Sequence, residues 1–153
     1  MTNEVVIKTD KLTKRFGDFI ATNEITFDVY AGEIFGFLGA NGAGKTTAMK
    51  MLCGLSTPSS GNAAIAGFDI YKQSESIKKN IGYMSQKFSL YEDLTVIENI
   101  NFFGGIYGMS DKQLNEKREN LIETLGLKNE AKKLVGSLPL GWKQKLAFSV
   151  AIF

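Results

Sequence analysis

Histidine is absent from this sequence, and cysteine occurs only once, at Cys53. A lone cysteine excludes an internal disulfide framework and fits a reducing compartment. Cys53 sits within an apolar helical pattern and reads as a small buried residue rather than a reactive thiol. Long apolar runs are also missing. The longest, such as Ile34–Leu38, fall far short of the roughly 20 residues that a membrane-spanning helix requires. The N-terminus, MTNEVVIKTD, lacks the basic start and apolar stretch of a secretory leader. Charge of one sign is not in excess: 18 Lys+Arg face 16 Asp+Glu, a net +2, which gives no case for a nucleic-acid footprint. There is no internal repeat, low-complexity tract or clear linker. These absences lead us to expect a soluble, cytosolic chain whose membrane association would come through a partner.

What is present suits one ordinary domain. The 153 residues can bury a real core, and 44% hydrophobic with 22% charged residues is an ordinary globular balance. The 11 phenylalanines are scattered and read as core residues. In Glu24–Tyr30 the apolar Ile25, Phe27 and Val29 alternate with Thr26, Asp28 and Tyr30, the period of a half-buried strand. Gly17-Asp18 is a turn signal between two such runs. Ile34–Leu38 is wholly apolar, as expected for a strand buried on both faces. Ala48, Met51, Leu52 and Leu55 then recur at helical spacing, and TPSSGN at 57–62 is a turn cluster. Strands are expected over Asn62–Ala66 and Asn80–Met84, with a helix at Ser74–Lys79 between them. Thr95 with Glu98, and Ser110 with Gln113, have the spacing of capping boxes. The first box opens a helix with Ile100, Phe103 and Tyr107 on one face. The second opens one with Leu114, Leu121, Ile122 and Leu125 inward and a solvated charged face outward. A last apolar helix is expected from about Gly141, running on to Phe153.

One motif carries chemistry. Gly39-Ala40-Asn41-Gly42-Ala43-Gly44-Lys45-Thr46-Thr47 fits G-x-x-x-x-G-K-[ST] in full, between an apolar run and a helical pattern. Its glycines allow backbone conformations closed to other residues, so successive N–H groups can converge on phosphates. The N-terminus of the following helix adds positive potential. Lys45 brings a point charge to the β- and γ-phosphates, and Thr46 a hydroxyl to Mg²⁺. The expected ligands are therefore ATP and Mg²⁺. A GTPase would need a base-reading [NT]-K-x-D after this loop. The nearest match, Thr13-Lys14-Arg15-Phe16, lacks the aspartate and precedes the loop. No single residue excludes a nucleotide kinase.

Three phrases, KRFGDFIATNEITFDVYAGEIFGFLGANGAGKTTAMKMLCGL, IGYMSQ followed by LYEDLTVIENI, and SLPLGWKQKLA, resemble the ATP-binding subunits of ABC transporters over nearly the whole chain. The likeness is greatest to bacterial type-two exporters of drugs and antibiotics. The resemblance implies an α/β P-loop NTPase fold of the ABC ATPase type. It would comprise a β subdomain with the P-loop core over 1–94, a helical subdomain over 95–140, and the start of the signature helix over 141–153. It places the adenine-stacking aromatic on Phe16, where a π-face offers contact without demanding hydrogen bonds. The family's Q-loop glutamine falls on Gln86, whose amide would reach Mg²⁺ or its water. The stretch Gln86–Asp93 would face a membrane-spanning subunit. The signature falls on Leu138-Pro139-Leu140-Gly141-Trp142 and departs from the usual Leu-Ser-Gly-Gly-Gln at three of five positions. Pro139 offers neither hydroxyl nor N–H. Leu138, Leu140, Gly141 and Trp142 are carried as the contact to ATP held by a second copy, with Gly141 and the helix start supplying the anion site.

Two family features have no counterpart. No aspartate here is followed by glutamate, and the histidine that senses the γ-phosphate is missing. The resemblance implies that the sequence stops before the strand that would carry the Asp-Glu pair, leaving the core sheet incomplete. Ile34–Leu38 would then lose its neighbours on both sides. The complete protein would be an ATPase, with a homodimer sandwiching two ATP molecules and driving a separate membrane subunit at the cytoplasmic face. The chain as given would bind nucleotide with little or no turnover. The alternatives are a soluble ABC ATPase acting outside transport, a non-enzymatic ATP-binding fragment, and an unrelated P-loop kinase.

Overall fold

The computed structural model describes residues 4–85 and 90–153. The chain divides into two compact units, Met1–Ile81 and Gly82–Phe153.

The first unit is built on a long hairpin. Strands β1 (Val5–Phe16) and β2 (Phe19–Tyr30) pair antiparallel across Gly17-Asp18. Gly17 takes φ 58 at the first turn position, where a tight hairpin favours glycine. Strand β3 (Ser60–Ile65) adds to the other edge of β1, and the short β4 (Phe68–Asp69) to β3, giving the order β2-β1-β3-β4. The expected alternation in β2 holds: Ile25 and Phe27 are half-buried and Val29 buried, while Thr26, Asp28 and Tyr30 are exposed. Buried Thr9 on β1 donates its hydroxyl to the Phe27 carbonyl (3.1 Å) and accepts from the Phe27 N–H (2.9 Å), so its polar atom is satisfied. Helix α1 (Lys45–Leu52) lays Ala48, Met51 and Leu52 on this sheet, and α2 spans Ser74–Lys79. The shared core is Leu12, Met51, Leu52, Ala63, Ile65, Ile70 and Ile77.

The second unit is helical. Helix α3 (Val96–Ile106) opens on Thr95, whose hydroxyl accepts from the Glu98 N–H while the Glu98 carboxylate accepts from the Thr95 N–H. Helix α4 (Asp111–Thr124) opens on Ser110 with the same reciprocal pair to Gln113. Leu114, Leu121, Ile122 and Leu125 are half-buried against a core of Leu90, Val96, Ile100, Leu127, Val135, Leu138, Leu146, Ala147 and Val150. A 3₁₀ turn (Val135–Ser137) leads into α5 (Leu140–Ala151).

Several expectations fail locally. Ile34–Leu38 has no ladder partner among the described residues. One row, Phe35 and Phe37, packs on Phe27: the Phe27–Phe35 rings stack with centroids 4.9 Å apart, and Phe37 sits edge-on at 5.3 Å. The other row is bare, with Ile34 at 101% and Leu38 at 96% exposure, so the segment is not buried on both faces. Asn80–Met84 is not a strand either, since it too has no described partner to pair with. Leu55 lies beyond the end of α1 and is exposed, because Cys53 and Gly54 close the helix first. Tyr107 is the exposed C-cap of α3 rather than part of its inner face. Helix α5 ends at Ala151 instead of continuing through Phe153.

Candidate functional site

The P-loop spans the connection between the Phe35/Phe37 segment and α1. Ala40 to Ala43 form a turn closed by the Ala43 N–H donating to the Ala40 carbonyl (3.2 Å). Gly42 (φ 83) and Gly44 (φ 80) both occupy the left-handed region. Gly39 (φ 154) lies near Ala43: a Cβ built on it would sit 3.5 Å from the Ala43 methyl. Gly44 is the N-cap of α1 and its carbonyl accepts the first helical bond from the Ala48 N–H (2.9 Å). No side chain caps this helix start. The N-terminal potential of α1 therefore faces the loop without a competing carboxylate, and no acidic residue lies in its first turn.

Strand β2 forms the floor of this loop. A Cβ at Gly44 would collide with the Ala21 carbonyl, and the Thr22 hydroxyl lies 3.5 Å from the Gly44 carbonyl. Ala21 and Thr22 thus enforce glycine at 44, a role the motif alone did not reveal. The only hint in the sequence was their place in a strand just ahead of the loop.

Lys45 folds back over the loop, donating to the Gly39 carbonyl (2.7 Å) and the Ala40 carbonyl (2.6 Å). The ammonium is thereby held where the loop's backbone converges. Thr46 and Asn41 are exposed, and Ala43 is exposed beside half-buried Gly44. Thr47 is half-buried on the first turn of α1. Among the described residues no group of three or more His, Cys, Asp or Glu is placed to hold a metal.

Phe16 ends β1, paired across the hairpin turn with Phe19, and is 56% exposed. Lys14 places its ammonium 5.2 Å from the ring centroid and donates to the Thr57 carbonyl (2.6 Å). The hairpin that floors Gly44 therefore also presents an open aromatic ring. Gln86 lies outside the described residues.

In the second unit, Leu138 is buried, Leu140 and Gly141 exposed, and Trp142 half-buried against the core. Pro139 is the N-cap of α5 (φ −56, ψ 149), and its carbonyl accepts from the Trp142 N–H (3.0 Å). A Cβ on Gly141 would meet nothing within 4 Å, so this helix start is open on that side. The structure thus places the P-loop residues and Phe16 in the first unit and the signature residues in the second.

Titratable groups near these elements behave as their contacts dictate. Burial pushes the Cys53 thiol up, away from reactivity, in keeping with a packing role. The Thr95 backbone N–H and hydroxyl hold Glu98 below the usual carboxylate range.

A glycine-rich loop closing onto a helix N-terminus, with a lysine folded over it and a threonine beside it, defines a P-loop nucleotide-binding protein of α/β class. The chain belongs to the ABC transporter family, whose profile matches residues 22–153. It is 49% identical over 149 residues to "Probable multidrug ABC transporter ATP-binding protein YbhF" of Escherichia coli (strain K12), covering 97% of this chain and 26% of that protein. It is 39% identical over 147 residues to "Bacitracin transport ATP-binding protein BcrA" of Bacillus licheniformis, covering 96% and 47% respectively. A solved structure titled "Structure of ATP binding subunit of ABC transporter" superposes with a TM-score of 0.80 at 26% identity, over 95% of this chain and 60% of that one. The chain thus spans about a quarter of the first of these relatives and just under half of the second.

Proposed function

We propose that this chain binds MgATP on Gly39–Thr47 and that the full-length protein hydrolyses it to power export through a separate membrane-spanning subunit. The observation that carries the reading is the P-loop geometry: three left-handed or extended glycines, an uncapped helix start, and Lys45 poised over the loop. Asn41, Gly42, Ala43 and Gly44 would supply backbone N–H groups to the phosphates, Lys45 would neutralise charge on the γ-phosphate, and Thr46 would hold Mg²⁺ through its hydroxyl oxygen. Mg²⁺, when bound there, would supply neutralisation of the charge that develops on the phosphates. Phe16 would offer its ring to the adenine, and Gln86 is carried from the resemblance as the residue whose amide would serve Mg²⁺ or its water. In a homodimer, the α5 start at Leu138–Trp142 of a second copy closes over the nucleotide. The stretch Gln86–Asp93 meets the membrane subunit, which holds the protein at the cytoplasmic face. Transport of drugs or antibiotics is the cargo reading that the names of two relatives favour, one a multidrug transporter and the other a bacitracin transport protein.

These 153 residues contain no Asp-Glu pair and no histidine. With no group to polarise the attacking water, they bind nucleotide and turn it over little or not at all. No helix among the described residues is long and apolar enough to cross a membrane.

The test is ATP binding by this chain with and without Mg²⁺, alongside Lys45→Ala. Binding strengthened by Mg²⁺ and lost with Lys45 is expected. Binding that survives the substitution would remove the P-loop from the reading.

A further inference from the structure

The turn Tyr91–Thr95, on the proposed partner side, is fastened to the segment that enters α5. The Glu92 carbonyl accepts from the Gly136 N–H (2.9 Å) and the Leu94 carbonyl from the Val135 N–H (2.9 Å). Thr95 and Leu134 form an isolated antiparallel bridge. The approach is close: a Cβ on Gly136 would lie 3.1 Å from the Glu92 carbonyl oxygen, tighter than side chains normally tolerate. From below, fully buried Asn99 secures the same turn. Its Oδ1 accepts from the Tyr91 N–H (2.8 Å), and its Nδ2 donates to the carbonyls of Tyr91 (2.9 Å) and Thr95 (3.0 Å).

One side-chain contact reaches α5 itself. Lys143, in the first turn of the helix, donates to the Glu92 carboxylate at 2.9 Å. The Lys143 side chain is only 14% exposed, so its stem is held by packing and its ammonium emerges at Glu92. An ordinary surface pair with two free side chains fixes little geometry. Here one partner is immobilised by packing, and the other stands on a turn held by four or more further hydrogen bonds.

We propose that Glu92 and Lys143 are positioning residues: their ion pair fixes the start of α5, Leu140–Trp142, to the 91–95 turn, so that a load applied to the turn is carried to the signature segment. This inference rests on the functional reading above, which puts the membrane partner at one end of the clasp and the second copy's ATP at the other. The clasp lies wholly within the second unit. It gives the coupling a physical carrier, a packed segment joined by named bonds, rather than mere proximity. Its effect is on where Gly141 and Trp142 stand.

Trp142 is the only tryptophan in the chain and sits beside Lys143, which makes it a reporter on the α5 start. The test compares Glu92→Lys, Lys143→Glu and the double swap, with Lys143→Met as a variant that keeps the stem and removes only the charge. In this chain, each single variant is expected to shift Trp142 emission to longer wavelength, and the swap to return it. In the full-length protein reconstituted with its membrane subunit, each single variant is expected to lower partner-stimulated kcat about fivefold or more with KM for ATP unchanged, and the swap to recover it. A clasp that mattered only for stability would respond in melting temperature without this kcat-against-KM split. Single variants that match the wild type in emission and stimulated turnover overturn the proposal, as does a swap that restores neither. A wild-type complex showing no stimulated turnover overturns the functional reading and the load-carrying role together, while the emission arm still judges the positioning of α5 alone.

Discussion

Gly42 and Gly44 hold nearly the same backbone angle, φ 83 and φ 80, in very different surroundings. A Cβ on Gly42 would project into open space, whereas one on Gly44 would run into the Ala21 carbonyl. The first position asks only for a left-handed backbone, which costs an L-residue about 1 kcal/mol. The second adds collision with a strand that the sheet holds fixed. Gly42→Ala is therefore expected to lower stability by about 1 kcal/mol, and Gly44→Ala by about 3 kcal/mol or more, as strain and overlap combine. Urea unfolding of the three proteins checks this, and equal losses would show that Ala21 is not the limiting contact. The motif displayed the need for both glycines in the sequence. It did not display why the second is the stricter, because that reason lies in a strand more than twenty residues upstream.

At the scale of elements, local signals were read well and long-range ones were not. The boxes at Thr95 and Ser110 act within four residues, so their spacing alone marked where α3 and α4 begin. Helix α2 was legible for the same reason. By contrast, the apolar content of Ile34–Leu38 predicts a strand, but no spacing records which strands lie beside it. Asn99 reads as an ordinary polar residue and turns out to be the buried post of the 91–95 turn. The pairing of Glu92 with Lys143 had no sequence trace at all. The α3 box also carries a pH dependence. Bonds from Thr95 hold the Glu98 carboxyl below its ordinary value, so its stabilising contribution is fully present above the usual glutamate range and is lost as pH falls through the lowered value. Glu98→Gln keeps an amide oxygen at the same place without the charge. The wild type is expected to melt higher than this variant at neutral pH and to lose that advantage in acid. A melting difference that stays constant as pH falls would show that the charge contributes nothing to the cap.

At the scale of the whole molecule, each unit completes a core from a continuous stretch of sequence, β hairpin and α1 in one, α3 to α5 in the other. The units divide at Ile81/Gly82, where no composition shift or linker marks a boundary in the sequence. The P-loop belongs to the first unit, and the segment leading into it is the least covered part of that unit. Ile34 and Leu38 stand in full contact with water on the face opposite Phe35 and Phe37. Backbone pairing is indifferent to which molecule supplies the partner, so every copy offers the next one the same apolar row and amides with no ladder partner among the described residues. Solubility should accordingly be a property of concentration rather than of sequence alone. Light scattering is expected to rise steeply as the chain is concentrated, and lysines at positions 34 and 38 to suppress it while Phe35 and Phe37 keep their hold on Phe27. Scattering indifferent to those charges would place the self-association elsewhere. The segment that leads into the P-loop is, in this chain, also the seam along which copies would adhere.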